Sequence, residues 1–203
     1  MKKITLSLAL ALGFLGAAQA QRSNVSLGLK AGASLASLVG ADTPSSYNGL
    51  FGFQAGVFAN IGLTNMVAFQ PELLYSQKGT EISSTGSSDK ARLRLHYVDV
   101  PLAFHINANG LFFEAGPQVG FLAGAQAKVG SASTDVKPLY NTVDFGYLAG
   151  LGYQRKTGLG VGLRYNGGFT NIDKAVAIGS TTYQARARNS VFQLYLSYSL
   201  NGR

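Results

Sequence analysis

The chain has 203 residues, of which 46% are hydrophobic and 13% are charged; it contains no cysteine and its formal net charge is +8. The absence of cysteine excludes disulfide bonds, thiolate chemistry and a lipid anchor of the lipoprotein type. Soluble domains carry about 25% charged residues, so the low charged fraction indicates an exterior that is largely not in contact with water.

The first 20 residues have the pattern of a cleavable signal peptide. Two lysines precede an apolar run over residues 4–18, and the small-residue motif Ala-Gln-Ala follows at 18–20. The run is shorter than the about 20 residues of a membrane-spanning helix, so we predict export and cleavage between Ala20 and Gln21. The segment 21–203 is predicted to be one domain, and removal of the two leader lysines leaves it a net charge of +6.

Eight segments of this domain alternate between apolar and polar residues with the period of two that is typical of β-strands. Each is long enough to cross a membrane as a tilted strand, which needs about 9–11 residues. In chain order the predicted strands are 25–34, 50–61, 66–78, 94–106, 111–126, 143–154, 159–170 and 190–200.

One face of every predicted strand is apolar and uncharged, as in Phe51, Phe53 and Val57 of the second strand. The opposite face combines glycines with polar side chains. A soluble ligand-binding barrel would place the apolar face inside and would need a charged exterior, whereas this second face is mostly small and uncharged. Small and polar residues suit the crowded interior of an eight-stranded barrel, so the pattern favours an apolar exterior in lipid.

The connections alternate in length. Short turns are predicted at 62–65, 107–110 and 155–158, and longer connections at 35–49, 79–93, 127–142 and 171–189. Barrels that cross an outer membrane have short periplasmic turns and long outer loops. The predicted fold is therefore all-β: an eight-stranded antiparallel, up-and-down transmembrane β-barrel in the outer membrane.

Several motifs resemble a known family. The run Leu-His-Tyr-Val-Asp-Val-Pro-Leu at 95–102 and the run Phe-Gln-Pro-Glu-Leu-Leu-Tyr-Ser-Gln-Lys-Gly at 69–79 resemble two strands of the Bacteroidota outer-membrane β-barrel family, the PorT-like group. Gly-Leu-Lys-Ala-Gly at 28–32 is similar to the start of that family's barrel. The resemblance implies an outer-membrane barrel, and a few members of the family serve secretion or gliding machinery. Such barrels commonly end on an aromatic residue, whereas this chain continues past Leu200 with Asn-Gly-Arg; the strand ending at Leu200 is expected to be the one that the barrel-assembly machinery recognises.

Six charged residues fall on the lumen-facing side of the predicted strands. Buried charges need partners, so we predict a salt-bridge and hydrogen-bond network that fills the lumen. The specific expectation is that the acids at 72, 99 and 114 share the bases at 30 and 164 as counter-ions. The alternative is a proton or ion path, or a pair of catalytic carboxylates. The predicted network comprises Lys30, Glu72, Asp99, Glu114, Asp144 and Arg164.

The two histidines do not define a catalytic or metal site. His96 and His105 are nine residues apart on opposite faces of one predicted strand, and no third ligand follows at a metal-binding spacing. The sequence has neither a phosphate-binding loop nor a nucleophile elbow. We therefore predict no catalytic residue, no metal and no cofactor, and expect that the protein is not an enzyme.

Basic residues concentrate near the predicted outer ends of the strands. Each basic group near an anionic membrane surface adds about 1 kcal/mol of attraction, so lipopolysaccharide phosphates are the predicted contacts rather than nucleic acid; solvated loop charge is the alternative. The set comprises Lys78, Lys90, Arg92, Arg94, Lys128, Arg186 and Arg188.

The predicted function is that of an integral outer-membrane barrel with a filled lumen, acting in envelope structure or in surface and assembly interactions through its long outer loops. The alternatives are a small porin-like channel, an outer-membrane enzyme and a soluble ligand-binding barrel. The expected partners are outer-membrane lipid, lipopolysaccharide and the barrel-assembly machinery, with further envelope proteins unspecified.

Overall fold

The computed structural model describes residues 25–41, 47–82, 91–130, 132–178, 181–183 and 186–200. The signal peptide, its cleavage site at Ala20 and Gln21, and Lys90 lie outside the described residues. Within those residues, no helix combines the length and the apolar character needed to cross a membrane. Eight long strands dominate the described chain: β1 (Val25–Val39), β2 (Leu50–Gly62), β3 (Val67–Ile82), β4 (Ala91–Ala108), β5 (Leu111–Val129), β6 (Val143–Gln154), β7 (Leu159–Gly168) and β8 (Arg188–Ser199).

The eight strands form one closed antiparallel ring. Each strand pairs with the next in the chain, and β1 closes the ring against β8 over the register Gly28↔Ser199 to Val39↔Arg188. Closure pairs the backbone polar groups of the first and last strands with each other, as a hydrocarbon environment requires. The predicted up-and-down, eight-stranded fold is confirmed.

Three short turns connect the strands at one end of the barrel. The tightest is the two-residue turn Asn109-Gly110, in which both residues have positive φ (50° and 93°), as a type I′ hairpin turn requires. Gly158, with φ of 92°, gives the turn at 155–158 the same left-handed geometry. Val25 and Leu200, the first and last described residues, lie at this end, which is the periplasmic end of such a barrel.

The four long connections lie at the opposite, outer end, and the strands extend further into them than predicted. The strand β3 continues to Ile82 and β4 begins at Ala91, where the two residues are paired, although 79–93 was predicted to be a loop. Strand pairing continues beyond the apolar belt, and the apolar alternation used for prediction does not reach that far. Short strands within or beside these connections are Tyr47–Asn48, Ala132–Asp135, Val176–Ile178 and Thr181–Tyr183.

The apolar face of the sheet is outside and the polar face is inside. Phe51 is 76% exposed and Phe192 is 63% exposed, whereas Glu114 and Arg164 are 3% and 2% exposed. A water-soluble barrel requires the reverse arrangement. The burial pattern therefore confirms the predicted orientation, with the apolar face outside and the polar face in the lumen.

Glycine keeps the lumen wide enough for large polar side chains. A Cβ at position 150 would lie 2.7 Å from Glu114 Oε1, and a Cβ at position 162 would lie 2.4 Å from the Tyr195 ring. Both distances are shorter than any normal carbon contact, so Gly150 and Gly162 leave the wall space that these side chains occupy.

Candidate functional site in the barrel lumen

Three groups of side chains fill the lumen from its middle to its outer end. The central cluster consists of Lys30, Glu72, Glu114 and Arg164, and the outer cluster of Lys78, Asp99 and Asp144. The outer plug is an apolar group at the mouth of the barrel, formed by Leu38, Leu93, Leu95, Tyr97, Leu122, Ala125, Ile172 and Ala187.

Arg164 is the hub of the central cluster. Its Nε donates to Glu114 Oε1 at 2.9 Å and its Nη2 to Glu114 Oε2 at 2.6 Å. On the other side, Nη1 and Nη2 donate to Glu72 Oε2 and Oε1, each at 2.8 Å. The planar guanidinium therefore forms two bidentate pairs across the lumen, the geometry that lysine does not provide.

Lys30 and Tyr195 complete the contacts of the two carboxylates. Lys30 Nζ lies 2.5 Å from Glu72 Oε1 and 4.1 Å from the centroid of the Tyr195 ring, a cation–π distance. The Tyr195 hydroxyl donates to Glu114 Oε1 at 2.9 Å. Two acids and two bases make the cluster formally neutral, which is the condition under which buried charges are tolerated.

Amide side chains and a histidine continue the network toward the periplasmic end. Gln70 Nε2 donates to Glu72 Oε1 at 2.8 Å, and Asn60 Nδ2 donates to Gln70 Oε1 at 3.0 Å. His105 Nε2 lies 3.2 Å from Glu114 Oε2, and its ring stacks on Phe112 with centroids 5.0 Å apart. Sequence parity placed these residues inside but did not indicate which carboxylate each would contact.

Glu72, His105 and Glu114 together have the residue types of a metal site, and their ligand atoms lie within 4.8 Å of one another. They come from three different strands: His105 and Glu114 are cross-strand partners in the hairpin that turns at Asn109-Gly110, whereas no sequence spacing relates Glu72 to them. Both carboxylates, however, already accept hydrogen bonds from the Arg164 guanidinium. A positive group therefore occupies the position where a cation would bind, and the geometry favours an ionic network.

The outer cluster is organised around Lys78. Its Nζ lies 3.0 Å from Asp99 Oδ1 and 3.7 Å from Asp144 Oδ2, and 4.4 Å from the Tyr97 ring centroid. Asp99 also accepts a hydrogen bond from the Ser76 hydroxyl. The hypothesis that Asp99 shares Lys30 and Arg164 is therefore wrong: the counter-ion of Asp99 is Lys78.

The prediction that Lys78 contacts lipopolysaccharide is also wrong. The residue is 3% exposed and points into the lumen. Because β3 continues to Ile82, position 78 keeps the inward parity of positions 70, 72 and 76 instead of marking the rim of the barrel. The predicted strand ended at residue 78, so Lys78 was assigned to the membrane surface. The strand in fact continues to Ile82 and keeps Lys78 in the lumen.

Asp144 has two further partners, Thr170 in the connection after β7 and Asn189 in β8. Asn189 Nδ2 donates to Asp144 Oδ2 and the Thr170 hydroxyl donates to Asp144 Oδ1, both at 2.8 Å. Beside them, lined in part by Lys78 and Asn166, is a void of about 10 Å³. That space holds about one water molecule, so the side chains occupy the lumen at this level.

The outer plug includes residues from loops as well as strands. Ile172, 1% exposed, belongs to the connection between β7 and β8. Its backbone N–H donates to Ala187 O at 2.9 Å, and its carbonyl accepts from the Asn141 N–H at 2.7 Å. The Asn141 side chain donates to the carbonyls of Asn171 and Asp173, at 2.9 and 3.1 Å. Two long connections are thus joined across the mouth of the barrel, where partial burial raises the pKa of the Asp173 carboxyl.

Four basic residues of the predicted surface set are exposed at the outer end: Arg92, Lys128, Arg186 and Arg188. Arg92 and Lys128 face each other across β4 and β5, and Arg92 Nε also donates to Glu81 Oε2 at 2.9 Å. Arg94 lies on the same outward face and is partly buried.

The second histidine, His96, also faces outward. Its Nδ1 is 2.6 Å from the Tyr75 hydroxyl. It is therefore separated by the barrel wall from His105 and the lumen acids.

A closed eight-stranded ring with an apolar exterior and charged, paired side chains inside is the architecture of a barrel that spans an outer membrane. The family model for the outer membrane protein beta-barrel domain matches residues 17–174, and the chain belongs to this family. The protein is accordingly located in the outer membrane. Among curated proteins no sequence matches.

Solved structures share the fold. Neisserial surface protein A is 14% identical over 88% of this chain and 100% of its own, with a TM-score of 0.52. The attachment invasion locus protein of Yersinia pestis, solved with the heparin analogue sucrose octasulfate, is 13% identical over the same shares, with a TM-score of 0.50. At these identities the similarity concerns the fold alone.

Proposed function

We propose that this outer-membrane barrel has a closed lumen and acts through its outer surface, in envelope structure or in surface and assembly interactions. The observation that carries the proposal is the double bidentate pairing of Arg164 with Glu72 and Glu114, which bridges the lumen at its middle. An eight-stranded barrel is just wide enough for side chains to fill it. The wall and its loops are then what remains for contact with other molecules.

A porin-like channel is less well supported. An ion would meet the central cluster, then the outer cluster, and finally the outer plug, which is apolar. The void between the two clusters is about 10 Å³, which is the space of about one water molecule. Conduction would require the central cluster to open.

We also propose that the protein is not an enzyme. Glu114 accepts hydrogen bonds from Arg164 and Tyr195. Its carboxylate oxygens are therefore engaged as acceptors within the lumen and are not available to accept a proton from a substrate. His96 lies on the outer face beside Tyr75 and away from the lumen acids. A catalytic residue needs access to substrate, and the acids of both clusters lack it.

Lipopolysaccharide is the proposed surface partner. Arg92, Arg94, Lys128, Arg186 and Arg188 lie at the outer ends of the strands, where headgroup phosphates are found, and each basic group there adds about 1 kcal/mol. The barrel-assembly machinery is the proposed partner for insertion. The motifs at 69–79 and 95–102 support membership of the PorT-like group of Bacteroidota barrels, and they do not select a role in secretion or gliding.

Planar-bilayer recording tests the closed lumen directly. Purified, folded protein should give no reproducible current steps, because no continuous water path crosses the central cluster. Reproducible single-channel current steps that disappear when the protein is heat-unfolded would favour the porin-like channel over the closed barrel.

Complementation tests the role of the outer surface. A strain lacking the protein should regain envelope integrity, measured as resistance to detergent, with the intact barrel. It should not regain it with a barrel in which 83–90 is replaced by a short Gly-Ser turn. Full rescue by the shortened barrel would contradict the assignment of function to that connection.

A further inference from the structure

The outward face of the barrel carries an open, shallow groove with a volume of about 510 Å³. It crosses five neighbouring strands, β2, β1, β8, β7 and β6. Its outward-facing lining is apolar and includes Ala33, Leu35, Phe51, Ala149, Leu151 and Phe192.

The strand register explains the groove. One row across the five strands pairs Phe51, Leu35, Phe192, Tyr165 and Ala149 in turn. The next row toward the periplasm begins at Phe53 and continues with Ala33 of β1. Small alanine side chains thus lie between large aromatic and aliphatic ones on the same face, and the surface between the larger side chains is recessed.

The groove lies near the middle of the barrel wall, at the level of Arg164. Phe192 is four residues from Arg188, the first residue of β8, and seven from Ser199 at the periplasmic end. Between the groove and the outer end of β8, the Tyr165 hydroxyl is 3.1 Å from the Ser190 hydroxyl, a partly buried polar pair. A lipid chain that reaches the groove from the side of Arg188 would belong to the outer leaflet.

Positive charge lies directly above the groove. Arg188 is exposed and shares the outward face of β8 with Phe192, about 13 Å away along the strand. Arg186, two residues before Arg188 in the chain, is also exposed. Because the hydrocarbon region of one leaflet is about 15 Å deep, the groove and Arg188 are spaced like the acyl chain and the phosphorylated headgroup of a single lipid.

We propose that this groove is a lipid-binding site that holds an acyl chain of one outer-leaflet lipopolysaccharide, with a headgroup phosphate paired to Arg188 and Arg186. This inference rests on the proposed contact with lipopolysaccharide and specifies where on the barrel it is made. The apolar row supplies the contact for the chain, and the two arginines select an anionic headgroup over a neutral one. A second copy of the barrel is the less suitable occupant, because an apolar contact between two barrel walls would make no use of arginines at the membrane surface.

The test counts bound lipid. The barrel is reconstituted in phosphatidylcholine nanodiscs that contain purified lipopolysaccharide, and retained lipopolysaccharide is measured by native mass spectrometry. Filling the groove with Ala33→Leu and Ala149→Leu should lower the retained fraction about tenfold, the effect of displacing roughly two methylene groups from apolar contact. Arg188→Gln should lower it several-fold.

Matched controls separate this site from general membrane effects. Ala115→Leu adds the same bulk to an outward alanine on β5, and Lys156→Gln removes an exposed charge from the periplasmic turn at 155–158; neither should change retention of lipopolysaccharide. Heat-modifiable gel migration confirms that every variant is folded, as an added leucine on the lipid face should allow.

The proposal would be overturned if the groove-filled variant retained as much lipopolysaccharide as the Ala115→Leu control. It would also be overturned if filling the groove abolished the mass of a barrel dimer and not that of a barrel–lipid complex, or if the barrel retained phosphatidylcholine as well as it retains lipopolysaccharide. Loss of binding with Lys128→Gln alone would leave the proposed lipopolysaccharide contact standing and refute this site.

Discussion

Changing Arg164 to Ala tests whether the central cluster is a buried ionic network that stabilises the barrel. The change removes four hydrogen bonds and leaves Glu72 and Glu114 facing each other with Lys30 as the remaining cation of the cluster. Removing one partner of a buried ion pair costs about 3–5 kcal/mol, because an uncompensated charge stays in a medium of low polarity. We expect the free energy of unfolding to fall by at least about 3 kcal/mol.

Urea unfolding in lipid vesicles measures this loss. The chain has no tryptophan, so far-ultraviolet circular dichroism and heat-modifiable gel migration follow the transition. The matched control is Arg92→Ala, which breaks an arginine–glutamate pair of similar length in which the arginine side chain is 47% exposed. Exposed pairs contribute about 0–1 kcal/mol, and a loss for Arg164→Ala no larger than this would refute the reasoning.

Two further predictions use the same unfolding assay. Gly110→Ala should destabilise the barrel by more than about 1 kcal/mol, because its φ is +93° and the new Cβ would lie 2.7 Å from the Tyr153 ring. Gly130→Ala, at φ of +56° with no atom within 4 Å of its Cβ, should cost less, and equal losses would contradict the ring contact. Lys78→Met should cost about 3 kcal/mol by leaving two lumen carboxylates without their lysine, and adding Asp99→Asn should recover part of it; an additive double loss would show that the pair is not coupled.

Strand positions and the two faces of the sheet could be predicted from the sequence because an alternation with a period of two is a local pattern. The face of each lumen acid was predicted in the same way. The expected counter-ions Lys30 and Arg164 do contact Glu72 and Glu114. Asp99 instead pairs with Lys78, because the individual partners in a barrel depend on the stagger between strands. Lys30 on β1 contacts Glu72 on β3, across the lumen and past an intervening strand, and no spacing within a single sequence encodes that distance.

The outer plug was missed, although a signal for it exists. Leu93, Leu95 and Tyr97 occupy the inward positions of β4, where the rest of the strand has polar or small residues such as Asp99 and Ala103. Apolar residues at lumen parity near the outer end indicate a closed mouth. Ile172 gives no such signal, because it lies outside the alternating pattern of the predicted strands. Its backbone hydrogen bonds to Asn141 and Ala187 hold it at the mouth of the barrel.

The charged middle of the lumen bears on how the sequence specifies its fold. Lipid surrounds the outer face, so apolar residues inside would let a strand rotate by one residue with little penalty, exchanging its two faces. With the present sequence, a one-residue slip of β7 would move Arg164 into lipid, at about 2–4 kcal/mol near the midplane, and would leave two buried glutamates without their main counter-ion, at about 3–5 kcal/mol. The first cost arises on the lipid side of the barrel wall and the second in the lumen, and a single slip of β7 incurs both. The central cluster therefore favours one register for β3, β5 and β7 at once, whether or not its net contribution to stability exceeds that of an apolar core.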